Sequence, residues 1–361
     1  MPSTTLFSTR LEARIVPLVL FLRESMEMHA PSFYHPENPA RARIVYGVVK
    51  QLPVGVREVS ALDISEEEAL RLAERIHAKG YLNYLVELQQ KAPAMVDPDT
   101  YLSRDSLKLA LAALYYSYIT AAEARDQVFL VLRPPGHHAG RGGRAMGAET
   151  VGFCLLNNAV AAVLGFLDRG FKKIAVIDFD AHHGNGTMEI LYEERILQVD
   201  FHQDPKTLYP HTGYPDELGK GRGYGYKANI VLPVGSGDDL FLKLLERAVE
   251  VVGKYAPEAL VVSAGFDGFA DDGLADLRLT EVSYYELGAV VRRLGAPAVV
   301  VLEGGYGVGL HRGVSAFIEG LLGEVPKYSA QTKTSAAKYR EAVETATRVL
   351  EIVGSRAVRS D

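Results

Sequence analysis

Short apolar runs without polar alternation recur along this chain, separated by longer amphipathic stretches. They lie at 16–22, 56–60, 128–132 (VFLVL), 173–179 (KIAVIDF), 196–201 (ILQVDF), 228–232 (ANIVL), 259–264 (ALVVSA) and 298–303 (AVVVLE). A strand with one face in water alternates apolar and polar residues, whereas a strand buried on both faces does not. The runs therefore predict a parallel sheet covered on two sides. Amphipathic periodicity predicts helices at 65–80, 104–124, 157–169, 238–254, 281–294, 309–322 and 335–353. In the first of these, Ser65 and Glu68 have capping-box spacing and Gly80 is expected to close the helix. Strand and helix in alternation give an α/β fold: a single domain, with a mainly parallel sheet of about eight strands and helices on both faces. The one linker-like stretch is GEVPKYSAQTKT at 323–334. The expected organisation is thus a main body over 1–325 and a C-terminal helical extension of the same domain over 326–361.

Composition narrows the function classes. With 361 residues the chain is long enough for a sizeable core. A net charge of −6 and the absence of a long Lys/Arg run argue against an electrostatic nucleic-acid binder and leave room for a cationic substrate. Cys154 is the only cysteine, which excludes intramolecular disulfides and Cys-based zinc sites and suits a cytoplasmic location. The most apolar early run, IVPLVLFL at 15–22, is too short to span a bilayer and contains a proline, so no membrane role is expected. Its charged RESMEMH flank lacks a cleavage-site pattern and favours a first core strand over a signal peptide.

Ligands of open α/β sheets bind beyond the carboxyl ends of the strands. The unusual polar clusters of this chain fall there: RPPGHHAG after 128–132, DAHHGNG after 173–179, FHQDP after 196–201, GFDGFADDG after 259–264 and GGYG after 298–303. Asp178, Asp180 and His182 are spaced by two, so on an extended strand end their side chains share one side. Carboxylate and imidazole together suit zinc or another divalent first-row metal. A third ligand must come from elsewhere, and Asp267 is the best-placed carboxylate. Two carboxylates and one histidine leave a position open for water, as a catalytic site requires. His137 and His138 follow the rigid Pro134–Pro135–Gly136 exit; both could be ligands, or one could be a general base. Glycines around Tyr306 let its hydroxyl enter the same crevice, where it could donate to an oxyanion.

Taken in order, HPENPARAR (35–43), RPPGHHAG (133–140), GFCLLNNAVAA (152–162), IDFDAHHGNGT (177–187), SAGFDGFADD (263–272) and LEGGYG (302–307) resemble the zinc-dependent histone deacetylase superfamily. That superfamily includes the class II deacetylases and the bacterial and archaeal acetylpolyamine amidohydrolases. The resemblance spans most of residues 29–322. It implies a hydrolase that removes acetyl groups from acetyl-lysine or acetylpolyamines by attack of a zinc-bound water. One zinc per chain would be held by Asp180, His182 and Asp267, with ferrous iron an alternative. His137 and His138 become the tandem histidines, His138 the general base and acid. Asp178 becomes the partner of His137, and Asn185 stands where some relatives have an aspartate beside the second histidine. Tyr306 matches the oxyanion-stabilising tyrosine. Phe153, Tyr209 and Gly152 match the wall of the acyl-lysine tunnel, and Arg41 an arginine of the cavity behind the metal. A structural potassium is implied near Asp178, Asp180, His182, Asp200 and Phe201. Asp97 or Asp99, with Asp99 favoured, stands where the family anchors substrate at the rim.

Two other readings compete. An arginase-like binuclear hydrolase needs further bridging aspartates, but His183 and Gly184 follow His182, and Gly268 and Phe269 follow Asp267. A non-catalytic binder of acetylated ligands has no need of Tyr306 and both histidines. No long insertion between 90 and 104 suggests the dimer that narrows polyamine enzymes, so neither the acylated amine nor the oligomeric state follows. Glu24, Glu27, Asp97, Asp99, Asp271 and Asp272 are expected on rim loops, where they would attract cationic substrates.

Overall fold

A computed structural model describes residues 18–357. Its strands are β1 (Leu18–Leu22), β2 (Gly55–Val59), β3 (Ala94–Asp97), β4 (Thr100–Leu102), β5 (Gln127–Val131), β6 (Ile174–Asp178), β7 (Leu197–Gln203), β8 (Lys227–Leu232), β9 (Ala259–Ala264) and β10 (Ala298–Leu302). The helices are α1 (Ala40–Val49), α2 (Glu66–Ile76), α3 (Lys79–Gln89), α4 (Ser106–Glu123), α5 (Asn158–Asp168), α6 (Asn185–Leu191), α7 (Asp238–Tyr255), α8 (Glu281–Leu294), α9 (Val314–Leu322) and α10 (Ala336–Ala357).

Eight strands form one sheet in the order β2-β1-β5-β10-β9-β6-β7-β8, every neighbouring pair parallel. These are the eight apolar runs of the sequence, and the reason is visible in β9 and β10. Leu260, Val262, Val300 and Leu302 join the core under α1 and α7–α10, while Val261, Val299 and Val301 join the core under α2–α5. Both faces are apolar, so no polar alternation survives. Each fully buried Val or Leu contributes roughly 1.5–3 kcal/mol by leaving water. The first expected run began at residue 16, and its first two residues lie outside the described part.

The chain order places a crevice in the middle of the sheet. After β5 the chain jumps over two vacant places to β6, runs outward to β8, then returns to fill the gap with β9 and β10. Connections leave the central strands in opposite directions, which opens the C-terminal edge between β5, β10, β9 and β6.

Three features depart from the expected elements. The 65–80 helix is broken: Ser65 caps α2 by accepting from the Glu68 amide, but α2 ends at Ile76, and Gly80 lies inside α3 instead of closing a helix. His77 is extended because its ring is drawn elsewhere, with Nδ1 2.7 Å from the Gly140 carbonyl and Nε2 accepting from the Asn157 amide at 3.0 Å. The Ala78 amide donates to the Arg141 carbonyl at 2.7 Å, completing the break. Second, α1, α3, α6 and the short β3–β4 hairpin were not expected. Third, 323–334 is irregular but anchored. The buried Asp238 carboxylate accepts from the amides of Thr280, Gln331 and Thr332 and from the hydroxyls of Thr280, Ser283 and Thr332. Beyond it α10 packs on α7 and β8, and its Ala346, Val349 and Val353 belong to the main core.

His77 makes acid sensitivity predictable. Burial, before any other cause, lowers its pKa from 6.5 to about 4, and both ring nitrogens are used in the neutral form. The neutral ring's contribution is complete above pH 6.5. Between about 6.5 and 4 the unfolded chain binds a proton the native state refuses, so stability falls with pH at up to about 1.4 kcal/mol per unit. Gln can reproduce both hydrogen bonds without titrating. A His77→Gln variant should therefore lose less stability from pH 7 to 5 in denaturant titrations, and an unchanged slope would show that His77 titrates normally.

Candidate active site

The crevice is lined by the residues that follow the four central strands. Asp178 ends β6 and accepts from the Asp180 amide at 3.1 Å, which folds the chain so that Asp180 and His182 turn towards β9. Asp267, three residues past β9, accepts from the Ala181 amide at 2.9 Å. His182 Nδ1 lies 2.9 Å from Asp267 Oδ2 and 3.1 Å from Asp180 Oδ1. One ligand atom from each of Asp180, His182 and Asp267 lies within 4.8 Å of the others, the one such cluster among the described residues.

The donor set fits a divalent cation. Asp180 and Asp267 are buried, and burial, then the Asp180 charge, pushes the Asp267 pKa up to about 6. Burial would depress the His182 imidazolium, but hydrogen bonds to Asp180 and Asp267 reverse this and raise its pKa to about 10. Two carboxylates thus converge on a place that favours positive charge, and His182 Nδ1 is free to serve as a ligand were a metal to replace the proton. Glycines permit this approach: a Cβ on Gly304 would lie 2.4 Å from Asp180 Oδ2 and 2.5 Å from Asp267 Oδ2. The Gly304 amide donates to Asp180 Oδ2 at 2.7 Å.

The tandem histidines follow β5 and have unlike surroundings. His137 Nδ1 is 3.0 Å from Asp178 Oδ2. Burial opposes its charge, but Asp178 and Asp180 outweigh it and hold its pKa well above the ordinary value. His138 is pushed well below, first by burial and then by the charges of His137 and His182. Its Nδ1 is 2.7 Å from Asn185 Oδ1. The Asn185 amide nitrogen donates to the Ala145 carbonyl at 3.0 Å, which fixes the amide's orientation. The oxygen facing His138 only accepts, so Nδ1 carries the proton and Nε2 keeps a free lone pair.

Tyr306 enters from the loop after β10. That loop is held by Asp272, whose carboxylate accepts from the amides of Tyr306 (2.7 Å), Gly307 (2.9 Å) and Gly309 (2.8 Å). Burial holds the Tyr306 pKa well above its usual range, so its hydroxyl remains a donor. The Arg41 guanidinium stacks 4.7 Å from the Tyr306 ring centroid, donates to the Gly305 carbonyl at 2.7 Å and also binds the Glu303 carbonyl. His182, Tyr306, Gly152, Phe153 and Tyr209 are partly exposed, while His137, His138, Asp178 and Asn185 are buried. The Phe153 ring meets Tyr306 edge-on at 5.9 Å, and Tyr209 meets His138 edge-on at 5.0 Å. These rings and Gly152 frame the opening.

Other expected residues have different surroundings. Asp99 accepts from the hydroxyls of Thr150 (2.5 Å) and Thr100 (2.8 Å), and Asp97 from the amides of Val151 (2.8 Å) and Asp99 (3.2 Å). Both brace the wall behind Gly152. Asp272 is buried as the loop clamp instead of lying on the rim, and Glu24 accepts from Ser60 and Ala61 at the end of β2. Asp200 faces Asp178 in register and accepts from the Gly184 amide at 3.0 Å; both carboxylates are buried, and Phe201 follows in β7. His183 turns away, with Nδ1 2.8 Å from the Thr212 hydroxyl and Nε2 3.1 Å from the Met188 sulfur.

Sequence reasoning missed four buried groups. Glu303 accepts from the amides of Gly136 and His137, orienting the histidine loop. Glu37 and Arg133 form a two-pronged buried pair, with Arg133 Nε 2.7 Å from Glu37 Oε1, and Tyr101 donates to the Glu37 carbonyl at 3.1 Å. A charged residue beside an apolar run, as in LVLR and VVVLE, was the available signal for Arg133 and Glu303.

Gly152 should be the least replaceable part of the wall. Its φ is +54°, and a Cβ would lie 2.6 Å from His138 Cδ2 and 2.7 Å from Tyr209 Cε1. Gly152→Ala should cost about 1–2 kcal/mol of stability from the left-handed backbone. Displacing His138 should lower turnover by about 10²-fold in steady-state assays. Wild-type turnover would mean that the wall does not press on the histidine.

The chain matches the model of the histone deacetylase domain over residues 35–321. It is 37% identical over 307 residues to a probable deacetylase of Archaeoglobus fulgidus, covering 80% of this chain and 81% of that protein. It is 36% identical over 307 residues to acetylpolyamine amidohydrolase 1 of Pseudomonas aeruginosa, covering 75% of this chain and 87% of that one. Among solved structures it resembles the HD domain of HDA15, with a TM-score of 0.80 and 28% identity over 95% of this chain and 97% of that one. By sequence match and by fold, this chain belongs to the histone deacetylase domain family.

Proposed function

We propose that this protein hydrolyses acetylated amines, either acetyl-lysine in proteins or acetylpolyamines, releasing acetate and a free amine. One observation carries the reading: the three-ligand cluster shares its crevice with a neutral histidine whose free Nε2 is fixed by Asn185, and with a protonated tyrosine. Relatives named deacetylase and acetylpolyamine amidohydrolase support the reaction class. A Dictyostelium discoideum relative named type-2 histone deacetylase 2 keeps acetyl-lysine within the candidate substrates.

Asp180, His182 and Asp267 would hold one zinc ion or, alternatively, ferrous iron. The bound metal supplies Lewis acidity, polarising the amide carbonyl and acidifying a water. His138 Nε2 takes the proton of the attacking water and returns it to the leaving nitrogen. Tyr306 donates to the carbonyl oxygen as negative charge develops there. His137 is held by Asp178, which favours its charged form beside the reacting centre. Phe153, Tyr209 and Gly152 wall the passage for the acylated chain, and Asp99 stands at its rim, with its oxygens shared with Thr150 and Thr100. Two buried carboxylates side by side, Asp178 and Asp200, support a structural potassium ion that would sit near them and Asp180, His182 and Phe201. We assign the main body over 1–325 to catalysis and 326–361 to a helical extension of the same domain. Cys154, free and buried, suits a cytoplasmic location, and among the described residues no helix is long and apolar enough to cross a membrane. A binuclear arginase-like reading is disfavoured because His183 points away from the metal ligands.

Turnover of a panel of acetyl-lysine peptides, acetylated polyamines and longer acyl-lysines tests the reading; no hydrolysis of any acylated amine would overturn it. Metal analysis should give about one transition-metal equivalent per chain, lost in Asp180→Ala or Asp267→Ala. Two tightly held equivalents would revive the binuclear alternative. Tyr306→Phe should keep its metal and fold while kcat drops roughly 10²–10³-fold, the usual effect of deleting an oxyanion donor. A variant that turns over at the wild-type rate would remove Tyr306 from the mechanism.

A further inference from the structure

At the end of α6 remote from Asn185 lies a groove of about 350 Å³, between α2, α5, α6 and residues 194–196. Its size falls within the roughly 300–1,000 Å³ of small-molecule clefts. Val163, Leu164 and Leu167 of α5, Ile190 and Leu191 of α6, and Ile196 make an aliphatic floor, with Leu167 38% exposed. Four cations border it: Arg75, Arg141, Lys172 and Arg195. The one carboxylate in the lining, Glu194, is engaged by Arg222. Arg75 is fixed by a two-pronged pair with Asp168 at 2.7 and 2.9 Å, whereas Arg195 has no ion pair among the described residues.

This concentration of positive charge runs against a chain of net charge −6. A cationic ligand would be repelled from the rim, and a highly charged polar one would leave the aliphatic floor in water. The chemistry that satisfies both parts is a single anionic head on an alkyl chain.

The groove also has two short connections to His138. α6 carries Asn185, which orients His138, at its first residue, and Ile190 and Leu191 at its end, about 8–9 Å away at 1.5 Å per residue. Arg141, three residues after His138, donates its amide to Glu189 of α6 at 3.1 Å, and its side chain reaches the Ile190 carbonyl at 3.3 Å. A ligand that packs on Ile190 and draws on Arg141 therefore bears on both segments that position the histidine. We propose that this groove binds a fatty carboxylate and that its occupancy alters turnover at the site through α6.

The test uses the metal-loaded enzyme, with octanoate and octanesulfonate as anions, octylammonium and 1-octanol as controls, all below micelle formation. Octanesulfonate is included because it is a weak metal ligand. Calorimetry should show both anions binding at one site, with octylammonium and octanol at least tenfold weaker. Arg195→Glu and Leu164→Glu, remote from the reacting groups, should each weaken the anions at least tenfold and leave basal activity unchanged. Saturating octanesulfonate should change kcat for a neutral acetyl-lysine reporter at least twofold in the wild type and not in Arg195→Glu. Undiminished anion binding by both groove variants would overturn the site, as would octanoate binding that disappears only in Asp180→Ala, which places it on the metal. Binding without any change in kcat would overturn the coupling. Calorimetry reads the groove whether or not the deacetylase reading holds, so the two can fail separately.

Discussion

Five carboxylates, Asp178, Asp180, Asp200, Asp267 and Glu303, converge at the C-terminal edge of the central strands, none more than 1% exposed. Buried charge of one sign costs several kcal/mol per group unless it is neutralised or hydrogen-bonded. Much of the local architecture answers that demand. Backbone amides of Gly136, His137, Asp180, Ala181, Gly184 and Gly304 point inward to the carboxylates, which is why loops here are rich in glycine and tightly turned. Asp178 and Asp180 hold the His137 pKa above its ordinary value, which favours a positive ring among them. What remains is negative charge at the Asp180–His182–Asp267 cluster, a place that suits a cation.

Behind this edge a second buried network holds the opening in register. Glu37 joins Arg133 at the end of β5 to Arg41 in α1, and Arg41 reaches the carbonyls of Glu303 and Gly305. The loop bearing the two histidines and the loop bearing Tyr306 are thereby tied to one carboxylate. Burial opposes the Glu37 charge, but Arg133 and His29 hold its pKa down at about 2, so the tie persists from neutral pH well into the acid range. Rigid support of this kind is what positioned acid–base chemistry needs.

The sheet was legible because its strands are buried on both faces, and continuous apolar runs have few other uses. The Asp180–His182–Asp267 cluster was legible because Asp180 and His182 lie two residues apart and Asp267 follows the neighbouring strand by three residues. Elements set by distant contacts were not. The break at His77 depends on the Gly140 carbonyl and the Asn157 amide, neither near it in sequence. α6 is only seven residues long and begins with Asn-Gly, a pair that ordinarily suggests a turn. Asp272 looked like one more surface acid in FADDG; only the approach of three amides from the β10 loop makes it a clamp.

The Asp238 carboxylate has a consequence for how the chain is made. Three of its six hydrogen-bond donors come from Gln331 and Thr332, more than ninety positions downstream in the sequence. Synthesis runs from the N-terminus, so α7 must wait with a half-satisfied carboxylate at its head until those residues emerge. During that interval the side of the core later covered by α10 is also bare. The interval between the synthesis of α7 and that of residues 331–332 is then a window in which a nascent chain of this protein needs shielding from its neighbours on the polysome.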